Sequence, residues 1–156
     1  MTAITIPGDE LARRTRIPSM PRWMLRALTI VGAALAAVAV WGVATLVFGL
    51  DLHQPAFDAS APQALSPVVV GAVAVVAGLL AWASLALLEG ITSRGPSIWL
   101  GVALVALLFS ISGPLSGHGI SGANRFALAL MHLAVATVLA PLLYLTSSPA
   151  VHPEAR

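Results

Sequence analysis

The chain of 156 residues has no cysteine and no lysine, one tyrosine, and only 9% charged residues. The first absence removes disulfides, thiolate metal sites and a cysteine nucleophile together. The scarcity of charge removes a soluble fold, because a water-facing surface normally carries about a quarter charged residues. With 58% of residues hydrophobic and a mean hydropathy of +0.94, a soluble monomer of this composition would expose apolar area far beyond what water tolerates. Lipid is the expected solvent. The isoelectric point near 10.5 comes from eight arginines, five of them before residue 27, so it marks one end of the chain and not a nucleic-acid footprint.

Four long apolar runs are present, at residues 24–49, 64–88, 97–115 and 126–145, none with an interior charge apart from Arg26 near the start of the first. Each is long enough to cross a hydrocarbon core of about 30 Å at about 1.5 Å per residue. The expected fold is therefore all-α: a polytopic membrane protein forming a compact antiparallel bundle of four transmembrane helices. Residues 1–23 form a polar cytoplasmic arm, 24–146 the transmembrane domain, and 147–156 a cytoplasmic tail. The first run is too long for a signal-peptide core and lies behind a polar arm, so no cleavage is expected. Arg13-Arg14 is not continued as a twin-arginine signal by Thr15-Arg16-Ile17-Pro18.

Positive flanks resist translocation, so arginine placement predicts orientation. Arg13, Arg14, Arg16, Arg22, Arg26, Arg94 and Arg156 fall on one side of a four-span chain, and Arg125 alone on the other. The loop from Leu50 to Ser66 has Asp51 and Asp58 and no basic residue. Both termini are expected in the cytoplasm of a cell with the protein in its plasma membrane. Ser66-Pro67 and Gly95-Pro96 read as helix starts, where the missing proline N–H is no loss. Trp23, Trp99 and Tyr144 read as interfacial anchors.

Because lipid tails are as apolar as leucine, membrane helices associate where small residues allow close backbone approach. Gly32 and Ala36, Gly71 and Gly78, Ala106, and Ala136 are the expected contact positions of the four spans, with Ala103, Ser110 and Gly113 extending the third stripe. Pro141 deprives the Thr137 carbonyl of its helical partner and predicts a bend in span four.

His132 is the ionisable group deepest in a span, about two turns from Arg125, and an intramembrane ionisable residue is a functional hypothesis by default. Ser110 and Ser112 lie at comparable depth and are its expected partners, either in a neutral lock between helices or in a protonatable or anion-binding pocket that includes Arg125. Glu89 closes span two at the interface, where a pair with Arg94 or with an arginine of the amino-terminal arm is expected; a coupling-ion carboxylate would lie deeper. Asp51, His53 and Asp58 match no tight metal motif, so no metal is expected, and His132 lacks the intramembrane histidine partner a haem would need. The glycines around Gly117, Gly119 and Gly122 lack the strand, lysine and Ser/Thr of a phosphate loop. No cofactor and no hydrolase triad is expected.

Leu85-Ala86-Leu87-Leu88-Glu89, Trp99, Ser110 with Gly113-Pro114-Leu115, and Met131-His132-Leu133 through Pro141 together resemble an uncharacterised actinobacterial family of small four-helix membrane proteins, a domain of unknown function, over about residues 24–146. The resemblance implies no activity. It implies that Glu89, Ser110, Pro114, His132 and Pro141 fit the family pattern and that the source is an actinobacterium. Alanine, valine, glycine and arginine usage without lysine fits a GC-rich genome.

Two functional expectations follow. The first is a non-enzymatic accessory subunit or self-associating bundle, whose partners are the lipid bilayer and other membrane subunits or itself, with no nucleic acid. The second is a small carrier or sensor built on His132, Ser110 and Arg125 and open to the outer face.

Overall fold

A computed structural model of the chain describes residues 20–57 and 61–147. Among them four helices are long and apolar enough to cross a membrane: α1 (Arg22–Gly42, continued by a π-helical turn at Val43–Val47), α2 (Pro67–Ile91), α3 (Gly95–Ser116) and α4 (Gly122–Leu145). The fold is an all-α four-helix bundle.

The helix starts follow local chemistry. Ser66 caps α2 by accepting from the Val69 N–H at 3.3 Å, and Ser121 caps α4 by accepting from the Asn124 N–H at 3.2 Å. Proline occupies the first turn of both α2 and α3. At its far end α1 widens into the π turn, where the Phe48 N–H reaches the Val43 carbonyl. There the Thr45 hydroxyl donates back to the Trp41 carbonyl at 2.9 Å, a competing bond of the kind that loosens regular helical pairing. Gly49, at φ +62°, then turns the chain out of the helix, a conformation that an L side chain resists. Helix α4 continues through Pro141 without a break.

Consecutive helices run antiparallel. The start of α1 meets the ends of α2 and α4 through Arg26, while the start of α4 meets the end of α3 through Arg125. Helix α1 packs chiefly on α4 and α2, and α3 packs on α4 and α2 across the bundle from α1. The interior has two apolar clusters. Ile30, Ala33, Leu85, Trp99, Leu139 and Leu143 fill the end near the arginines; Ala37, Ala44, Leu52, Val70, Ala74, Ala127, Leu128 and Met131 fill the other.

Outside these clusters the helices are apolar all round. Leu46 is 82% exposed and Phe109 80%, with leucine and valine exposed along every span. A surface of that kind is stable against acyl chains and not against water.

The contact faces are made by small residues, but not always those expected. A Cβ on Gly78 would stand 2.9 Å from Ile30 Cγ2, so α1 and α2 approach closely only because that atom is missing. Gly71 faces Val38, and Gly32 faces Val138, with ordinary contact distances of 3.5 and 3.7 Å for a built Cβ. In α1 the fully buried alanines are Ala33 and Ala37, while Ala36 is half-buried, as is Ala136 in α4. The expectation for α3 is corrected: Ala106 and Ser110 are exposed and point away from the bundle. Because α3 is apolar on every side, its sequence holds no amphipathic face from which direction follows.

Candidate functional site

The most polar construction inside the helical region sits at the arginine-rich end. Arg26, one turn into α1, is buried, and its Nη2 donates to both carboxylate oxygens of Glu89, at 2.9 and 3.0 Å. Its Nε donates to the Thr146 hydroxyl at 3.0 Å, and Nη2 also approaches the Thr146 carbonyl at 3.4 Å. One guanidinium therefore ties the start of α1 to the ends of α2 and α4. The planar fork suits this role because its donors are fixed in relative direction, whereas an ammonium offers only a point charge. Glu89 is thus paired, as expected of an interfacial carboxylate, but with Arg26 and not with Arg94. The Arg94 side chain is exposed; its backbone N–H meets the Thr92 hydroxyl in the turn before α3.

Beside this clasp, Trp99 is 1% exposed, and its indole N–H is shared between the Ala81 carbonyl and the Ser84 hydroxyl, each at 3.1 Å. The expectation of an interfacial anchor is corrected for Trp99: it is a wedge holding α3 against α2. Trp23 at 61% and Tyr144 at 40% are the exposed aromatics of this end. Gly95 lets α3 begin directly over the last turn of α2, since a Cβ there would lie 2.5 Å from the Leu88 carbonyl oxygen.

His132 is half-buried on α4. Its Nδ1 lies 2.7 Å from the Leu128 carbonyl of its own helix, and because a carbonyl only accepts, this nitrogen carries the proton. The expected pairing with span three is not formed. Ser110 and Ser112 are exposed and donate to their own helix, to the carbonyls of Leu107 and Phe109. Arg125 is spent elsewhere: its Nη1 donates to the carbonyls of Pro114 and Leu115, capping the C-terminal turn of α3. His132, Ser110 and Arg125 therefore do not converge.

The opposite end is closed by loops. Strands β1 (His53–Gln54) and β2 (Gln63–Ala64) pair antiparallel, and Ala56 pairs with His118 through two backbone bonds of 3.1 and 2.9 Å. Asn124, 3% exposed, acts as a backbone surrogate, accepting from the His53 N–H at 3.0 Å and donating to its carbonyl at 2.7 Å. The Trp41 indole donates to the Leu65 carbonyl at 2.8 Å. Gly117 and Gly119 lie flat on Pro55 and Pro62, where a Cβ would meet ring carbons at 2.4 and 2.6 Å. His53 Nδ1 turns to the Asp51 carbonyl, and Asp58 lies outside the described residues. Among the described residues no three His, Asp or Glu side chains gather as a ligand group.

Sequence reasoning missed Arg26, Thr146 and Asn124. A signal existed for the first: Arg26 lies two residues inside the first apolar run and Glu89 directly follows the second, and antiparallel connectivity places this base and acid at one depth. Asn124 carried no such signal, since its partner is backbone.

Comparison with known proteins places residues 18–148 in a match to the family described as "Family of unknown function (DUF6069)". No curated protein and no solved structure matches the chain.

Proposed function

Since the chain belongs to the DUF6069 family of unknown function, a membership that assigns no activity, we propose from the geometry that it is a non-enzymatic membrane bundle that associates sideways, with a second copy or another membrane subunit, through the outward face of α3. The observation that carries this is the direction of two members of the third small-residue stripe, since Ala103 packs on the core while Ala106 and Ser110 do not. Ala106 and Ser110, one turn apart, face away from the bundle and line an open groove of about 620 Å³ with Gly101, Val102, Val105 and Phe109. In lipid, close approach at small residues is what a helix pair gains from, and small residues left outside the bundle, as Ala106 and Ser110 are, stay available to a neighbouring helix. Of the four spans α3 is the least covered: 11% of its most apolar stretch is buried, against 28% for α1 and α4.

The arginine distribution supports a cytoplasmic location for the end bearing the clasp, in the plasma membrane, with both termini on that side. The lysine-free, alanine-rich composition supports an actinobacterial origin. The carrier or sensor alternative retains the half-buried His132 but lacks the pairing with Ser110 and Arg125 that it requires.

The absence of cysteine makes the test direct. Single variants Ser110→Cys on α3 and Leu35→Cys on the exposed side of α1 are oxidised in native membranes. A cross-linked product is expected at position 110 and not at 35, and Ala106→Leu is expected to reduce it severalfold. A monomer in mild detergent, with equal labelling and no cross-link at either site, refutes the proposal.

A further inference from the structure

We infer that the neighbour at the α3 face is a second copy of this chain in the same orientation, joined by a reciprocal pair of hydrogen bonds in which the Ser110 hydroxyl of each copy donates to the Ser110 backbone carbonyl of the other. This rests on the association through α3 proposed for the chain, and it names the partner.

Pro114 lies inside α3 and has no N–H, so the carbonyl four residues earlier, that of Ser110, lacks its regular helical donor. The polar side chains nearby are committed elsewhere. The Ser116 hydroxyl donates to the carbonyls of Ser112 and Gly113, and the Arg125 guanidinium to those of Pro114 and Leu115. Gly113, on the turn above Ser110, has no side chain to cover the freed oxygen, and hydrocarbon offers no water to replace the missing donor. Ser110 is itself exposed on the groove, and in the single chain its hydroxyl donates to the Leu107 carbonyl at 3.2 Å. The regular helical partner of that carbonyl is the Ile111 N–H, so the hydroxyl can turn outward without stranding it.

A donor free to move and an acceptor short of a donor therefore sit on one residue. Two copies of one sequence follow the same arginine bias and insert the same way round, so a two-fold pair sets position 110 of one copy against position 110 of the other. What each copy lacks, the other supplies. Ala106, one turn before Ser110, lets the backbones come close enough for the exchange. Thr137 and Pro141 repeat the spacing on α4, with the Thr137 hydroxyl on the Ala134 carbonyl. There, however, Leu130 and Leu133 stand exposed on the preceding turns and hold a neighbouring backbone off.

The test measures self-association of the full chain in phosphatidylcholine vesicles, by Förster transfer between donor-labelled and acceptor-labelled copies as the protein is diluted with lipid. An interhelical hydrogen bond in a membrane is worth roughly threefold in an association constant, so the reciprocal pair is worth about eightfold. Ser110→Ala keeps the face small and should weaken association by about that factor without abolishing it. Pro114→Ala restores the missing N–H, should weaken association to a similar extent, and should add nothing in the Ser110→Ala background. Thr137→Val should change nothing. Pro114 is buried, so circular dichroism checks the fold of its variants; if they misfold, the exposed positions 110 and 137 decide the matter. Association unaffected by Ser110→Ala but lost in Ala106→Leu overturns the hydrogen-bonded pair and leaves the α3 face standing. So does a purified chain that stays monomeric while Ser110→Cys cross-links to a different protein in native membranes. Association that survives Ala106→Leu removes the face and the pair together, and equal weakening by Ser110→Ala and Thr137→Val overturns the pair as well.

Discussion

Removing one member of the Arg26–Glu89 pair should harm the bundle more than removing both. The two side chains are 9% and 20% exposed, so each has given up most of its water for the other. Breaking a buried pair by deleting one partner costs about 3–5 kcal/mol, whereas replacing both by apolar groups of similar size is often close to neutral. The partial exposure moves the present pair to the low end of that range or just below it. Glu89→Leu strands the more buried partner, leaving Arg26 with only Thr146, and should cost about 3 kcal/mol. Arg26→Met leaves a carboxylate that can still recruit water and should cost about 2 kcal/mol. The double variant should lie within about 1 kcal/mol of the native chain, giving a coupling energy of about 4 kcal/mol or more in a double-mutant cycle. Unfolding in mixed micelles by increasing sodium dodecyl sulfate, followed by far-ultraviolet circular dichroism, measures each difference. Two single losses that simply add in the double variant would refute the reasoning, because they would mean that each side chain acts through its own packing and not through the other's charge.

Gly78→Ala should destabilise the native chain by about 1–2 kcal/mol, since the overpacking penalty against Ile30 exceeds the helix-propensity gain of about 1 kcal/mol. In an Ile30→Ala background the same change should stabilise, and a stabilising effect in both backgrounds would show that the helices do not meet at that point. Asn124→Ala removes both bonds to the His53 backbone and should cost about 2 kcal/mol, felt mainly in the loop-closed end. Hydrogen exchange should then speed up across residues 50–57 while the α1 and α2 interiors stay protected; unchanged exchange in the loop contradicts the bracing role.

The four helices were legible because a chain in lipid must satisfy its backbone internally, so an uncharged apolar run of more than eighteen residues has few alternatives to a helix. Ser66-Pro67 marked the start of α2 for the same kind of local reason. Which side of each helix turns inward was less legible. Alanine and glycine are spread so evenly that a one-position shift separates half-buried Ala36 from buried Ala37, and α3 offers no polar face to define its inward one. Trp99 illustrates a tertiary override: a tryptophan beside an arginine normally marks the interface, but the Ala81 carbonyl and Ser84 hydroxyl give its indole N–H buried acceptors, so the ring enters the core. The candidate site was illegible for a further reason. Ser110 and His132 matched in depth, but depth along the membrane does not fix rotation about the helix axis, and rotation sends Ser110 outward.

The clasp also bears on how α3 can serve as a contact face. Arg26 binds α1, α2 and α4 into one unit and makes no bond to α3. Helix α3 is fastened by the Trp99 indole at one end and by the Arg125 guanidinium at the other, both reaching backbone carbonyls, while the stretch from Gly101 to Ser110 between them makes no side-chain hydrogen bond to another helix among the described residues. Among those residues, too, every buried side-chain nitrogen and oxygen has a partner, so the polar groups inside the bundle are already committed to holding it together. A neighbouring helix seated on Ala106 and Ser110 would therefore compete with lipid alone. It would leave the clasp and both fastenings of α3 intact, which is the arrangement expected of a bundle that folds first and then associates through its least covered side.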